Sequence, residues 1–270
     1  MADTAVRAAP APPSPRTATA RHAASRFAKS SAAILLFLLI WELVPRIGLV
    51  DDLFLPPVSR VVSSWLALAA DGQLWIDLGA SLGRAVAGFL LAVAIAVPLG
   101  LLIGWYRLAD ELLSPLLEVF RNTAALALLP VFVLLLGLGE TSKISLITFA
   151  CVWPILLNTI SGVRTVDHLL LKSARSLGFG SAQVFAKIVL PASVPTVFTG
   201  IRLAAASSIL VLVAAEMVGA KAGLGYLINA AQYNFEVPEM YAGILTISVL
   251  GLGFNRALTA LEHRLSRWRH

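Results

Sequence analysis

Hydrophobic and polar positions alternate along this chain in long blocks rather than in short periods. Six blocks are apolar over about 20 residues, the length a helix needs to cross a hydrocarbon core. They lie near 32–50, 82–106, 113–138, 142–162, 194–219 and 239–260. The third carries Glu118, Arg121 and Pro130, which predicts a broken or tilted span. Residues 56–80, "PPVSRVVSSWLALAADGQLWIDLGA", are amphipathic and too polar to span easily. They predict an interfacial helix after the Pro56-Pro57 stop, with Trp65 and Trp75 as anchors at the lipid boundary. Gly100 and Gly104, one turn apart in the second block, predict close helix packing.

Composition turns this pattern into a class. The chain is 58% hydrophobic and 13% charged, against roughly 45–50% apolar and about 25% charged in soluble domains. One soluble core cannot hide that much apolar surface, so the chain reads as an all-α integral membrane protein with a transmembrane domain over 32–260. The first 31 residues differ in kind. "MADTAVRAAPAPPSPRTATARHAASRFAKSS" is rich in Ala, Pro, Ser and Thr and predicts a disordered tail. A cleaved signal peptide fits less well, because the apolar run continues through "WELVPRIGLV" without a small-residue cleavage site. The single cysteine, Cys151, lies in an apolar run and excludes an intrachain disulfide or a multi-cysteine metal site.

The net charge of +6 sits in short flanks beside the apolar blocks. That is an orientation signal rather than a nucleic-acid footprint. The 1–31 tail has five Lys/Arg against one acid. The 163–193 loop has Arg164, Lys172, Arg175 and Lys187, and the 261–270 tail is basic through Arg264, Arg267 and Arg269. The alternate connections are acidic: Asp51, Asp52, Asp71 and Asp77 oppose Arg60, and Glu236 and Glu239 oppose Lys221. With six spans, the positive-inside rule places both termini and the 163–193 loop in the cytoplasm.

That loop contains "KSARSLGFGSAQVFAKIVLP" (172–191). Leu170, Leu171, Ala174 and Leu177 recur at helical spacing and predict a short amphipathic helix. Gly178 and Gly180 permit a tight turn, and Ser181 is placed to cap a second helix. Val184, Phe185, Ile188 and Val189 form that helix's apolar stripe. Pro191 falls where a helix bends or restarts. On periodicity alone this is a helix-turn-helix lying on a membrane surface.

Its spacing says more. Ser173 and Ala174 are followed by Gly178 and, after nine residues, by Ile188-Val189-Leu190-Pro191. This resembles the cytoplasmic-loop signature of ABC-importer permeases, E-A-A-x3-G-x9-I-x-L-P. Lys172 and Ser173 depart from the usual Glu and Ala. The resemblance extends over about 35–268, through "FRNTAALALLPVFVLLLGLGETSK", "NTISGVRTVD", "TGIRLAAASSILVLVAAEMVGAKAGLGYLI" and "ALEHRLSR". These segments look like the branch that handles alkanesulfonates, taurine and nitrate. The resemblance implies a type I, MetI-like permease with six transmembrane helices and cytoplasmic termini. It implies a homodimer working with two cytoplasmic ATP-binding subunits and a periplasmic or lipid-anchored substrate-binding protein in the bacterial inner membrane. It also implies that the loop is a coupling element that docks on the ATPase. Small Ser173, Ala174 and Gly178 would permit close approach there, Leu170, Leu177 and Phe185 would offer apolar contacts, Arg175 would pair with acids, and Ile188, Leu190 and Pro191 belong to the same coupling loop. Lys172 reverses the usual charge and suits anionic lipid headgroups as well as a protein partner.

Nothing in the sequence supports catalysis. "GLGETSK" (137–143) lacks the G-x4-G-K-[ST] order of a phosphate loop and reads as a tight turn. "AKAGLGYL" (220–227) has no preceding strand and reads as a loop rather than a dinucleotide site. His22, His168, His263 and His270 have no metal spacing. The expectation is a transport subunit with no cofactor, no metal and no nucleic-acid partner. Charges within the spans are costly and invite functional readings. Glu118 and Arg121 share a helical face and predict a pair. Arg84 and Arg202 near span ends predict snorkelling. For an anionic solute, Arg121, Asn122, Asn158 and Glu216 are the candidates for the translocation path. An ion-coupled secondary transporter and a non-transporting scaffold are the competing classes, but no internal inverted repeat supports the former.

Overall fold

The computed structural model describes residues 32–265, and every regular element among them is helical. The expected tail 1–31 and residues 266–270, with Arg267 and Arg269, lie outside the described residues. The chain divides into two compact units, residues 1–60 and 61–270.

In the first unit, helix α1 covers 32–46 and the chain turns back toward the start of α2 (Val58–Ala70). Trp41 Nε1 donates to the Pro56 carbonyl at 3.1 Å. The Ser59 N–H and hydroxyl both donate to Glu42, at 2.9 and 2.8 Å, and Arg46 pairs with the same carboxylate.

In the second unit Gly72, at φ +85°, ends α2 in a left-handed residue that glycine adopts without a steric penalty. Helix α3 then runs unbroken from Gln73 to Trp105. The interfacial helix expected over 56–80 is therefore corrected: only Val58–Ala70 forms a short helix, and residues 73–80 open α3. Asp77, whose polarity suggested an interface, is fully buried and hydrogen-bonded.

Helix α4 (Arg107–Arg121) leads through a 3-10 turn (Ala125–Leu128) into α5 (Leu129–Leu136), and the two are bent by 84°. The predicted break is thus present. Pro130 stands in the first turn of α5, where its missing N–H has no intrahelical acceptor to lose. Then come α6 (Glu140–Arg164), α7 (His168–Ser176), α8 (Ser181–Val184), a π turn (Phe185–Val189), α9 (Leu190–Met217), α10 (Leu224–Tyr233) and α11 (Val237–Leu265). Among the described residues four helices are long and apolar enough to cross a membrane: α3, α6, the continuous Ser181–Met217 and Val237–Glu262. The bent α4–α5 pair makes a fifth if it is one span.

The core lies among α3, α6 and α9. Ala85, Phe89, Ala92 and Ala96 of α3 meet Ile147, Cys151 and Ile155 of α6, with Ala204, Ala205 and Leu212 of α9 closing the third side. Close approach is built in by glycine. A Cβ on Gly100 would lie 2.6 Å from Thr159 Cβ, and one on Gly104 2.8 Å from Val163 Cβ. The packing predicted for this pair therefore joins α3 to α6.

Candidate functional site

The 163–193 loop is built as a helix with two different faces. Asp167 caps α7 by accepting from the Leu169 N–H at 2.8 Å. The helix ends in a Schellman arrangement: Phe179 N–H donates to the Ala174 carbonyl and Gly178 N–H to that of Arg175. Gly178 has φ +84°, and a Cβ there would meet nothing within 4 Å. Within this chain its role is therefore the left-handed turn, not close packing. The next helix is capped at Gly180 rather than at Ser181. The Gly180 N–H donates to Gln183 Oε1 at 3.1 Å, a reach-back available only if Ser181 is already the first helical residue.

One face of this loop is seated on the bundle. Ala174, Val184 and Val189 are buried with Val163 of α6, and Leu101 and Trp105 of α3 pack against them. Phe185 and Ile188 join the same cluster half-buried, and the Phe185 ring meets Trp105 edge-on at 5.1 Å. The outward face carries Lys172, Ser173, Arg175 and Leu177, all exposed, with Leu169 and Leu170 beside them. Lys172 and Arg175 form no ion pair among the described residues. Leu190 is exposed, and Pro191 follows the π turn, whose Leu190 N–H donates to the Phe185 carbonyl. The wider turn carries the helix into Pro191 without a break, where a bend or restart is the sequence expectation. The nine loop residues singled out in the sequence thus divide: Lys172, Ser173, Arg175, Gly178 and Leu190 face out, while Ala174, Phe185, Ile188 and Pro191 are partly or fully covered.

The four path candidates are not brought together. Arg121 pairs with Glu118 at 3.3 Å, and Asn122 Nδ2 bonds the Glu118 carbonyl, both exposed at the α4–α5 break. Asn158 is half-buried and bonds the Pro154 carbonyl, one turn earlier in α6. A cavity of about 470 Å³ opens at the break, with Arg121, Thr123, Trp153 and Ser207 on its walls. Glu216 lies elsewhere, buried at the end of the bundle opposite the 163–193 loop.

At that opposite end stands a polar cluster that local sequence reading misses. Arg84 donates twice to Glu140, at 2.5 and 2.8 Å, and its third nitrogen reaches Glu216 and the Ala222 carbonyl, each at 2.6 Å. Glu216 also accepts from Ser81 and from the Gly225 N–H. Asp77 accepts from the Gly223 N–H at 2.7 Å and Ser81 from the Leu224 N–H at 2.8 Å. Gly223 and Gly225 leave no room for a side chain, since an added Cβ would lie 2.5 Å from the Glu216 carboxyl and 2.6 Å from the Val213 carbonyl. Arg84 is only 6% exposed, so the snorkelling expected of it is corrected: its two acids lie on neighbouring helices and draw it inward. Arg202 likewise is paired, with Glu262 of α11. The available signal was Asp77, Ser81 and Arg84 at spacings of four and three, one face of α3.

The described residues contain no group of three or more His, Cys, Asp or Glu placed to hold a metal. Known proteins match this chain closely. The family model for the binding-protein-dependent transport system inner membrane component matches residues 96–267. A probable ABC transporter permease protein of Brucella melitensis is 39% identical over 84% of this chain and 92% of its own length. The taurine transport system permease protein TauC of Escherichia coli is 34% identical, covering 88% and 89%. The bicarbonate transport system permease protein CmpB of Synechocystis is 32% identical, covering 85% of each. Among solved structures, an inward-facing MetNI methionine ABC transporter shares the fold at TM-score 0.58, 18% identical, over 68% of this chain and 92% of that one. A family match over more than half the chain and relatives near 40% identity along their length leave one assignment. The chain belongs to the binding-protein-dependent transport system inner membrane components, the permease subunits of ABC importers.

Proposed function

We propose that this permease carries a small organic anion through a dimer of six-span chains, with both termini and the 163–193 loop in the cytoplasm. Two separate ATP-binding subunits drive it, and a substrate-binding protein delivers the solute. The observation that carries the coupling reading is the two-faced α7. Its inner face is locked onto α3 and α6 through Ala174, while Lys172, Ser173, Arg175 and Leu177 are left outward. A helix seated in this way passes a push on its outer face to the spans beneath it. The anionic solute is supported by the taurine, sulfonate and bicarbonate names of the relatives and by Arg121 beside the cavity at the α4–α5 break. Asn122 and Asn158 are the polar neighbours we assign to the same path. Glu216, fully engaged with Arg84, Ser81 and Gly225, enters the path only by letting those bonds go.

Gly178→Trp is the first test: it sets bulk in open space on the outward side, and it also strains the left-handed turn at φ +84°, which is why a second variant is needed. Co-purification with its ATP-binding subunit is expected to be lost while membrane insertion is unchanged. Arg175→Glu, on an exposed side chain, repeats the test without touching the turn. A normal complex in both variants would sink the docking assignment. Uptake into liposomes lacking the ATPase would instead favour the ion-coupled transporter.

A further inference from the structure

Two helices of this chain end in the same turn, and only one has the residue that turn favours. Helix α7 closes on Gly178 in the left-handed position. Helix α10 closes with the same pair of bonds: the Glu236 N–H donates to the Ala231 carbonyl at 2.9 Å, and the Phe235 N–H to that of Gln232 at 3.3 Å. Its left-handed residue is Phe235, at φ 60°, the one non-glycine residue with positive φ among the described residues. A side chain is strained in that conformation and glycine is not. Packing within the chain does not offset the strain, because Phe235 is 77% exposed. Strain held at an exposed aromatic residue points to a contact with something outside the chain.

The helix that carries it is firmly mounted. Asp77, Ser81 and Glu216 accept from the N–H groups of Gly223, Leu224 and Gly225 at the base of α10. Leu224, Leu227 and Ile228 are buried, and a Cβ on Gly243 of α11 would lie 2.8 Å from Ile228. Midway along, Asn229 Nδ2 bonds the carbonyl of Met217, the last residue of α9. Phe235 is roughly 9 Å further along the chain at 1.5 Å per residue. The tip Tyr233–Glu236 therefore stands past the end of that span, at the end of the bundle opposite the 163–193 loop. Tyr233 is as exposed as Phe235, and Gln232, Asn234 and Glu236 are exposed around them. Glu236 forms no ion pair among the described residues.

Aromatic anchors within a polar rim have the composition of a protein contact. Two such rings bury at most about 150–250 Å² each, well short of the roughly 1,200 Å² of a stable interface. That favours a partner that comes and goes over a permanent contact between two copies. A permease of a binding-protein-dependent system has such a partner at its outer face. Resting on the permease reading, which places this end outside the cytoplasm, we propose that Tyr233–Glu236 is a docking tip for the soluble substrate-binding protein. Phe235 enters an apolar pocket on that protein, Tyr233 packs beside it, and Glu236 faces a lysine or arginine at the pocket rim.

The permease–ATPase complex in nanodiscs is titrated with the purified substrate-binding protein of the same importer. Phe235→Gly is the decisive variant, because it relaxes the turn while removing the ring. Its melting temperature is expected to be no lower than the parent's, and its Kd for the binding protein roughly tenfold weaker. Tyr233→Ser is expected to weaken the Kd less, and Glu236→Lys to weaken it more at low salt than at high salt. Phe235→Cys labelled with bimane reports what covers the tip, since the other thiol, Cys151, is buried. Its emission is expected to be that of a wet probe before the binding protein is added and to shift to the blue afterwards. Blue emission from the start that brominated lipid quenches would make the tip a membrane anchor. Blue emission that lipid leaves unquenched would make it a contact between two copies. Either result overturns the docking tip. So does an assembled Phe235→Gly complex that binds like the parent, which leaves intact the permease reading that Gly178→Trp and Arg175→Glu test.

Discussion

The two ends of the bundle hold the same three spans by opposite means. At the loop end, α3, α6 and the Ser181–Met217 helix meet through Ala174, Val163, Val189 and the Trp105–Phe185 rings, an apolar seat. At the other end they meet through Arg84, Glu140 and Glu216, a set of short charged bonds. Apolar contact is non-directional and falls off gradually as surfaces slide. A buried ion pair is directional, and removing one partner strands the other. One end is thus made to shift, and the other to hold or let go as a unit.

The largest effect should come from the charged end. Arg84→Met strands Glu216 and is expected to cost about 3–5 kcal/mol, read as a marked fall in melting temperature of the detergent-solubilised protein. Arg84→Met with Glu216→Leu should recover much of that loss, since no buried charge is then left at that position. A double variant no better than the single would mean that the network does not act as a pair. The next effect tests the shared core: Gly100→Ala puts a methyl against Thr159 and should cost about 1–3 kcal/mol by overpacking. It is smaller than the loss of Arg84 because a shift of α3 against α6 relieves the clash with Thr159 and strands no charge.

At the loop end, Trp105→Ala removes a half-buried wall of the seat, worth about 2 kcal/mol. Its signature should be functional rather than structural: ATP hydrolysis by the complex persists while uptake falls several-fold. Equal loss of both activities would contradict a seat that transmits motion. Smallest of all, Glu118→Gln breaks an exposed pair worth less than about 1 kcal/mol and should leave the melting temperature unchanged.

The same contrast explains what the sequence made legible. The helix-turn-helix was readable because its determinants are local: the spacing from Ser173 to Pro191, the Gly178 turn and the stripe of Val184, Phe185, Ile188 and Val189 all lie within one loop. Its seat was not, since Ala174 and Phe185, read as offered to a partner, pack inward against α3 and α6. The break at Arg121–Pro130 and the Gly100–Gly104 contact were also visible as local violations of a uniform apolar helix. The charged end was not, because Arg84 finds Glu140 and Glu216 at separations of 56 and 132 residues. A lone arginine near a span end reads as a snorkelling side chain until its partners are placed. Gly72 is obscured for a related reason: with Asp77 read as solvated, the amphipathic pattern runs on past the glycine that ends the helix. The outer cap failed on a one-residue ambiguity, since Gly180 and Ser181 are both acceptable caps.

The π turn at Phe185–Val189 has a mechanical corollary. Ser181–Met217 is one helix of 37 residues, a rod of roughly 55 Å at 1.5 Å per residue, running from the seat to the residue before Val218 at the charged end. The wide turn holds one residue more than an α turn requires, and Pro191 and Pro195 follow it in the same helix. Deleting that residue shortens the rod by a known increment without unwinding it. Such a chain should still insert, with everything beyond the turn rotated by about 100° around the helix axis relative to the seat.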